Sequence, residues 1–224
     1  SALFGKMEAP TKKNIKKALL FLNNLQQSGS TNLYKALKPY IDSKYKTAGR
    51  PLLVFMLSDG KLNSGDIVDN RNFINFISNK NHQTASIFTF TNTKKPNTFL
   101  LDLLAYRNRG VFTRAKTIDN SSILLKKNID STDHIILKNL NYQISSNLSE
   151  KTFPKKLPNL YQDRTITLFG QYQADIDKIS LRITGTDKIG NEHELIYSES
   201  LNKAAKSSKK LAKQWAQQYI FHLY

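Results

Sequence analysis

Two short runs hold the residue types from which a cation or ligand site is built. Ser28-Gly29-Ser30-Thr31-Asn32 lies in a loop leading into a helical pattern, and Ser58-Asp59-Gly60 directly follows the apolar run Leu52–Leu57. A carboxylate and hydroxyls with small neighbours are hard oxygen donors of the kind that Mg²⁺ or Ca²⁺ prefers. Gly60 lets the backbone turn sharply beside such an ion. Singly, Thr31 also reads as a helix N-cap and Asp59 as a turn residue, because Asp-Gly is a turn dipeptide. Together, in this order, they point to a site at the carboxyl ends of strands, where ligands of open α/β sheets gather.

Other chemistries find little support. The chain has no cysteine, which excludes disulfides, zinc–thiolate centres and thiol nucleophiles. His82, His134, His193 and His222 are far apart and form no zinc spacing. Glu192-His193-Glu194 reads as solvated surface. There is no Gly-x-Ser-x-Gly elbow and no glycine-rich phosphate loop. Asp175 and Asp177 lie in a turn with no apolar pocket to raise a carboxyl pKa. The chain therefore reads as a binding module and not as an enzyme.

The elements that must position these residues alternate over the first part of the chain. Helical spacing covers residues 11–25, 32–41, 67–79 and 97–107, and a last helix, 121–129, is expected to be capped by Asp119 or Asn120. Pro39 is expected to kink the second helix or close it early. Strand patterns cover Leu52–Leu57, 84–90 and 111–114. The first has no alternation, which suits a central parallel strand buried on both faces. Helix and strand in turn are the mark of a doubly wound sheet. After about residue 133 the pattern changes to short strands at 135–144, 165–172, 178–184 and 192–197, with turns at Pro154, Pro158, Gly170, Gly185 and Gly190. Residues 201–224 read as a basic amphipathic helix anchored on the β-rich part by Leu211, Trp215, Ile220 and Leu223. The expected fold class is α/β, a mostly parallel doubly wound sheet over 1–132, then a small antiparallel β domain with a C-terminal helix over 133–224.

The formal net charge is +17. Residues 1–120 carry 19 basic and 7 acidic side chains, and residues 121–224 carry 15 and 10. The lysines are scattered, so most of this charge reads as solvated surface. The longest apolar run is far too short to cross a bilayer, and no signal peptide opens the sequence.

Gly29-Ser30-Thr31-Asn32-Leu33 followed by Ala36-Leu37 resembles the threonine motif of von Willebrand A domains. Leu53 to Gly60, with Gly65 just after, resembles the strand and aspartate motif of the same family. The resemblance places metal ligands on Thr31 and Asp59, and ligand contacts on Ser30, Asn32 and Gly60. It implies a metal-ion-dependent adhesion site for Mg²⁺, Ca²⁺ or Mn²⁺ that binds a partner's carboxylate. That family's site also uses an Asp-x-Ser-x-Ser motif, which does not occur in these 224 residues. Asp119-Asn120-Ser121-Ser122 has the wrong spacing and lies too late, and Ser30 stands where the family usually has glycine. The chain is thus expected to be the C-terminal part of such a domain, with the first motif preceding Ser1 and metal bound weakly by this part alone.

A second resemblance rests on Leu25 through Leu37, Asn97 to Gly110, Phe153-Pro154-x-x-Leu157-Pro158-Asn159-Leu160-Tyr161, Gly170-Gln171-Tyr172 and Leu211-Ala212-x-x-Trp215-Ala216. These resemble proteins that pair a VIT domain with a von Willebrand A domain, as in inter-alpha-trypsin inhibitor heavy chains. It implies an extracellular, cell-surface or periplasmic setting, while the basic charge favours an acidic protein partner. The alternative from another class is nucleic-acid binding. It rests on the charge, on Tyr40 and Tyr45 beside Lys38, Lys44 and Lys46, and on Trp215 with Tyr219. No RNP motif, zinc finger or KH loop supports it.

Overall fold

Apolar residues three and four apart fold the first part into helices, of which Leu33–Ile41, Asn70–Asn81 and Thr98–Arg107 pack on one face of a short parallel sheet. The structure, a computed structural model, describes the chain outside residues 1–2, 27–31, 43–44, 46–49, 83, 146–147, 149, 174, 203 and 206–207. The elements run α1 (Lys12–Asn23), α2 (Leu33–Ile41), β1 (Leu52–Leu57), α3 (Asn70–Asn81), β2 (Ala85–Thr91), α4 (Thr98–Arg107), β3 (Phe112–Arg114), α5 (Asp119–Asp130), β4 (Ile135–Ile144), β5 (Leu160–Tyr161), β6 (Lys178–Thr186), β7 (Glu192–Ser200) and α6 (Lys209–Leu223). This is the expected α/β arrangement followed by an antiparallel sheet and a C-terminal helix.

The helices start where polar side chains satisfy free backbone N–H groups. Thr11 caps α1 by accepting from Asn14 N at 3.2 Å. Asn32 caps α2 through Lys35 N at 2.8 Å, and Asp69 caps α3 through Asn72 N at 2.8 Å. The α3 pattern therefore starts at Asn70 and not at residue 67. The cap expected for α5 does not form: Asp119 and Asn120 are inside the helix, and Ile118 precedes it with no side-chain bond. Pro39 is accommodated within α2, which closes two residues later.

The parallel sheet has the order β1-β2-β3. Residues 52–57 of β1 pair with 85–90 of β2 in unbroken register. Every residue of β2 is buried, so β2 is the central strand. That corrects the expectation for β1, which pairs with β2 alone among the described residues and leaves Leu57 60% exposed. The apolar run of β1 reports covered faces and not paired edges. Val54 and Met56 meet the helical core on one face, and Leu53 and Phe55 meet the Phe88–Ile135–Tyr161 cluster on the other.

The main core joins α2, α3, α4 and α6 to that first face, with Phe73, Ile74, Ile77, Leu100, Leu101 and Phe221 deeply buried. Buried Asn81 ties three elements together. Its amide donates to Ala85 O and to Asn108 Oδ1, both at 2.8 Å, and its Oδ1 accepts from Ala85 N at 2.8 Å. Gly110 follows α4 where a side chain would overlap the Ile87 carbonyl. By contrast α1 buries none of its residues, and Leu19 and Leu22 of its apolar face are more than half exposed.

The second sheet has the order β5-β4-β6-β7 and is antiparallel throughout. Its β4–β6 register shifts between Lys138 and Asn141, where Asn139 has φ 55°. The strand expected at 165–172 does not form, and only the Phe153–Phe169 bridge pairs there. Its alternation instead seats Ile166 and Leu168 as half-buried side chains on the Leu137–Leu140–Leu157 cluster, while the edge of β4 is taken by β5.

Helix α6 begins eight residues later than expected, capped by Ser208. Its anchors also differ. Leu211, Ile220 and Leu223 are exposed, and Phe221 is the buried contact. Phe221 meets Phe99 and Tyr106 edge-on in the main core, so α6 docks on both parts of the chain. Trp215 stacks on Tyr219 and donates to Lys151 O at 2.8 Å. No helix among the described residues is long and apolar enough to cross a membrane.

Candidate functional site

The ladder of β1 continues one residue past the strand, with Ser58 N donating to Phe90 O at 3.1 Å. The chain then turns. Ser58 Oγ accepts from Gly60 N at 3.0 Å, and Asp59 Oδ1 accepts from Lys61 N at 3.0 Å. Gly60 has φ +73°, and a Cβ there would lie 2.8 Å from Leu101 Cγ and 3.0 Å from Asn97 O. Glycine is required for both reasons. Asn97 N donates to Asp59 O at 2.7 Å, so the turn is fastened to the start of α4.

Asp59 is half-buried at the carboxyl end of β1, as its place after the apolar run implied. Its Oδ2 lies 3.9 Å from Lys61 Nζ, a partly exposed pair that contributes little to stability. Asn32 is half-buried and holds α2 by its cap. Its side chain also packs against Gly65, which has φ +104°: a Cβ on Gly65 would come within 2.6 Å of Asn32 Cγ. The segment after Asp59 and the residue next to Thr31 therefore meet. Ser30 and Thr31 lie outside the described residues.

Asn97 was not singled out from the sequence, yet it organises this rim. It caps α4 through Leu100 N at 3.2 Å and donates to Asn70 Oδ1 of α3 at 3.2 Å. An asparagine just before the apolar pattern of residues 99–104 was the available signal. The starts of α2, α3 and α4 are thus linked at one end of the parallel sheet. Helix starts carry partial positive charge, so this rim favours negative groups.

The donors there fit a hard cation only in part. Asp59 supplies one carboxylate, with one oxygen already accepting a backbone bond, and Asn32 Oδ1 is committed to Lys35 N. Among the described residues no three acidic or histidine side chains cluster as a metal site. A cation of six or more oxygens needs further donors.

The aromatic residues near lysines are used internally. Tyr40 and Tyr45 stack with ring centroids 4.9 Å apart and Tyr45 is buried, and Trp215 is engaged as above. Tyr219 stays 40% exposed, and Lys44 and Lys46 lie outside the described residues.

No protein-family model matches the chain, and no curated protein matches it either. Among solved structures it is similar to the ArnB paralog VWA2 from Sulfolobus acidocaldarius, with TM-score 0.50 and 18% identity over 88% of this chain and 55% of that one. The chain spans about half the length of that structure. The likeness concerns the fold and does not extend to the VIT pairing suggested by residues 153–172. With the parallel β1-β2-β3 sheet and its flanking helices, it shows that the chain has a von Willebrand A-like fold.

Proposed function

We propose that the chain is a non-catalytic ligand-binding module of von Willebrand A type, which takes an acidic protein partner at the carboxyl rim of β1. The observation that supports this is the packing of Asn32, the residue after Thr31, against Gly65 in the segment after Asp59. Thr31 and Asp59 would contribute oxygen ligands to Mg²⁺, Ca²⁺ or Mn²⁺, with an Asp-x-Ser-x-Ser segment completing the set. A cation held there supplies attraction for a partner carboxylate. Asn32 and Gly60 would shape the rim, Ser30 would add a ligand contact, and the basic surround would raise the encounter rate with acidic partners. An extracellular, cell-surface or periplasmic adhesion role, beside a VIT domain, is part of the same reading and rests on resemblance.

Calorimetric titration of Mg²⁺ into this chain tests it. Binding of about millimolar strength, weaker than a complete site gives, is expected, and Asp59→Ala should remove it. Equal Mg²⁺ heats from wild type and Asp59→Ala would overturn the role of Asp59. Micromolar binding would overturn the incomplete-site reading.

A further inference from the structure

A second cavity, of about 440 Å³, lies away from the β1 rim, between β3 and α5 on one side and the β5 region on the other. Its lining holds three cationic side chains, Arg109, Lys127 and Arg164, against one acidic residue, Asp163. Arg164 lies over the rings of Phe88 and Tyr161, 5.1 and 5.9 Å from their centroids. Its guanidinium donates to Ser131 Oγ, at 3.0 Å from Nε, and to Asn128 O at 3.2 Å, with a further short bond to Asn128 Oδ1. Among the described residues these acceptors are all neutral. Arg109 is 7% exposed and donates to Asn139 Oδ1 at 3.1 Å, at the register shift of β4. The Tyr161 hydroxyl, enclosed beside Asn159 and Ser86, makes no hydrogen bond of proper geometry among the described residues.

Desolvating a guanidinium costs free energy that a neutral acceptor offsets only in part. Here the Arg164 guanidinium stands at the cavity wall on neutral acceptors among the described residues, with Lys127 at the mouth. We propose that this cavity binds a phosphate monoester group of a small molecule. The surplus of two positive charges on the lining matches a dianion, and a guanidinium binds phosphate oxygens through charge-assisted hydrogen bonds. The edge-to-face rings of Phe88 and Tyr161 lie under the Arg164 guanidinium and help hold it in place. Lys127, exposed on α5, is the group that strengthens the encounter.

Calorimetry with inorganic phosphate and with glycerol phosphate, at fixed ionic strength, tests this. The expected result is saturable 1:1 binding of both, with acetate much weaker. Arg164→Gln should weaken it about 10- to 100-fold, the effect of losing a charge-assisted hydrogen bond. Because Arg164 also holds the end of α5, that variant can lose stability, so Lys127→Gln serves as the second variant and should weaken binding several-fold with unchanged melting. The surface pair Lys94→Gln and Lys95→Gln should leave binding unchanged. If phosphate does not saturate, or if all lysine variants weaken it equally, the charge acts only as a general basic surface and the site is overturned.

Discussion

Asn32 lays its side-chain amide against Gly65, so the cap of α2 and the segment following Asp59 form one packed unit. The contact joins two sequence motifs 33 positions apart at the end of the parallel sheet where an α/β fold places its ligands. It also makes Gly65 a sensitive position.

Gly65→Ala combines two penalties. The backbone at φ +104° disfavours any L side chain, and the added methyl would collide with the Asn32 amide. Gly190 has nearly the same φ, +105°, but nothing within 4 Å of its Cβ position. Gly190→Ala should therefore show the backbone term alone, about 1 kcal/mol, and Gly65→Ala up to about 3 kcal/mol. At about 2–4 °C per kcal/mol for a chain of this size, circular-dichroism melting resolves the difference. Equal shifts would mean that Asn32 gives way freely and the two segments are not braced.

Asn81→Ala should be among the costly polar substitutions. It strands the Ala85 N–H and C=O and the Asn108 Oδ1, all within the buried junction of α3, β2 and the end of α4. Unsatisfied buried groups cost about 1–3 kcal/mol each, so a loss of about 3 kcal/mol or more is expected in urea unfolding. Asn81→Asp should be no milder, since it sets a carboxylate against two carbonyl oxygens. A loss below about 1 kcal/mol would show that water repairs the junction.

Much of the parallel part was legible because its signals are local. Asn32 and Asn97 announce helix starts, and the runs at Leu52–Leu57 and 84–90 announce strands. Which strand lies in the middle was not legible, since a strand covered on both faces looks the same whether one or both of its edges are paired. The alternation of Thr165-Ile166-Thr167-Leu168 predicted a strand for a related reason: a chain laid flat on a core needs alternation even without a ladder. At the site, Asp59 and Gly60 could be placed from the Asp-Gly turn after an apolar run. The bracing by Asn97 and Gly65 could not, because it depends on which loops touch.

The phase of α6 gives a third prediction. The sequence offered Leu211, Trp215, Ile220 and Leu223 as anchors, whereas the structure buries Phe221 against Phe99 and Tyr106. Phe221→Ala should cost about 3–5 kcal/mol as a large-to-small core change. Ile220→Ala, at a site 55% exposed, should stay within about 0.5 kcal/mol. Reversal of that order in urea unfolding would restore the other face of the helix as the docking face.

His222 should make the stability of the α6 contact depend on pH. Its ring lies 5.1 Å from that of Phe153, and its pKa is lowered from the ordinary 6.5, first by burial and then by Lys155 and Arg107. The folded chain thus holds a neutral imidazole more readily than the unfolded chain does. Between the lowered value and 6.5 the unfolded state binds the extra proton, so stability rises with pH across that window. It is full above about pH 6.5 and falls as acid carries the solution through the folded value, below which it levels off. His222 is exposed on one side, so solvent screening keeps the effect modest, a few degrees of melting temperature at most. Trp215, the single tryptophan, stacks beside this contact on Tyr219 and reports it by fluorescence. Melting followed by Trp215 emission should shift down between pH 7.5 and 5 in the wild type, and His222→Gln should remove most of that shift. If the variant keeps the full shift, the titration belongs to other groups and α6 is not held by a neutral His222.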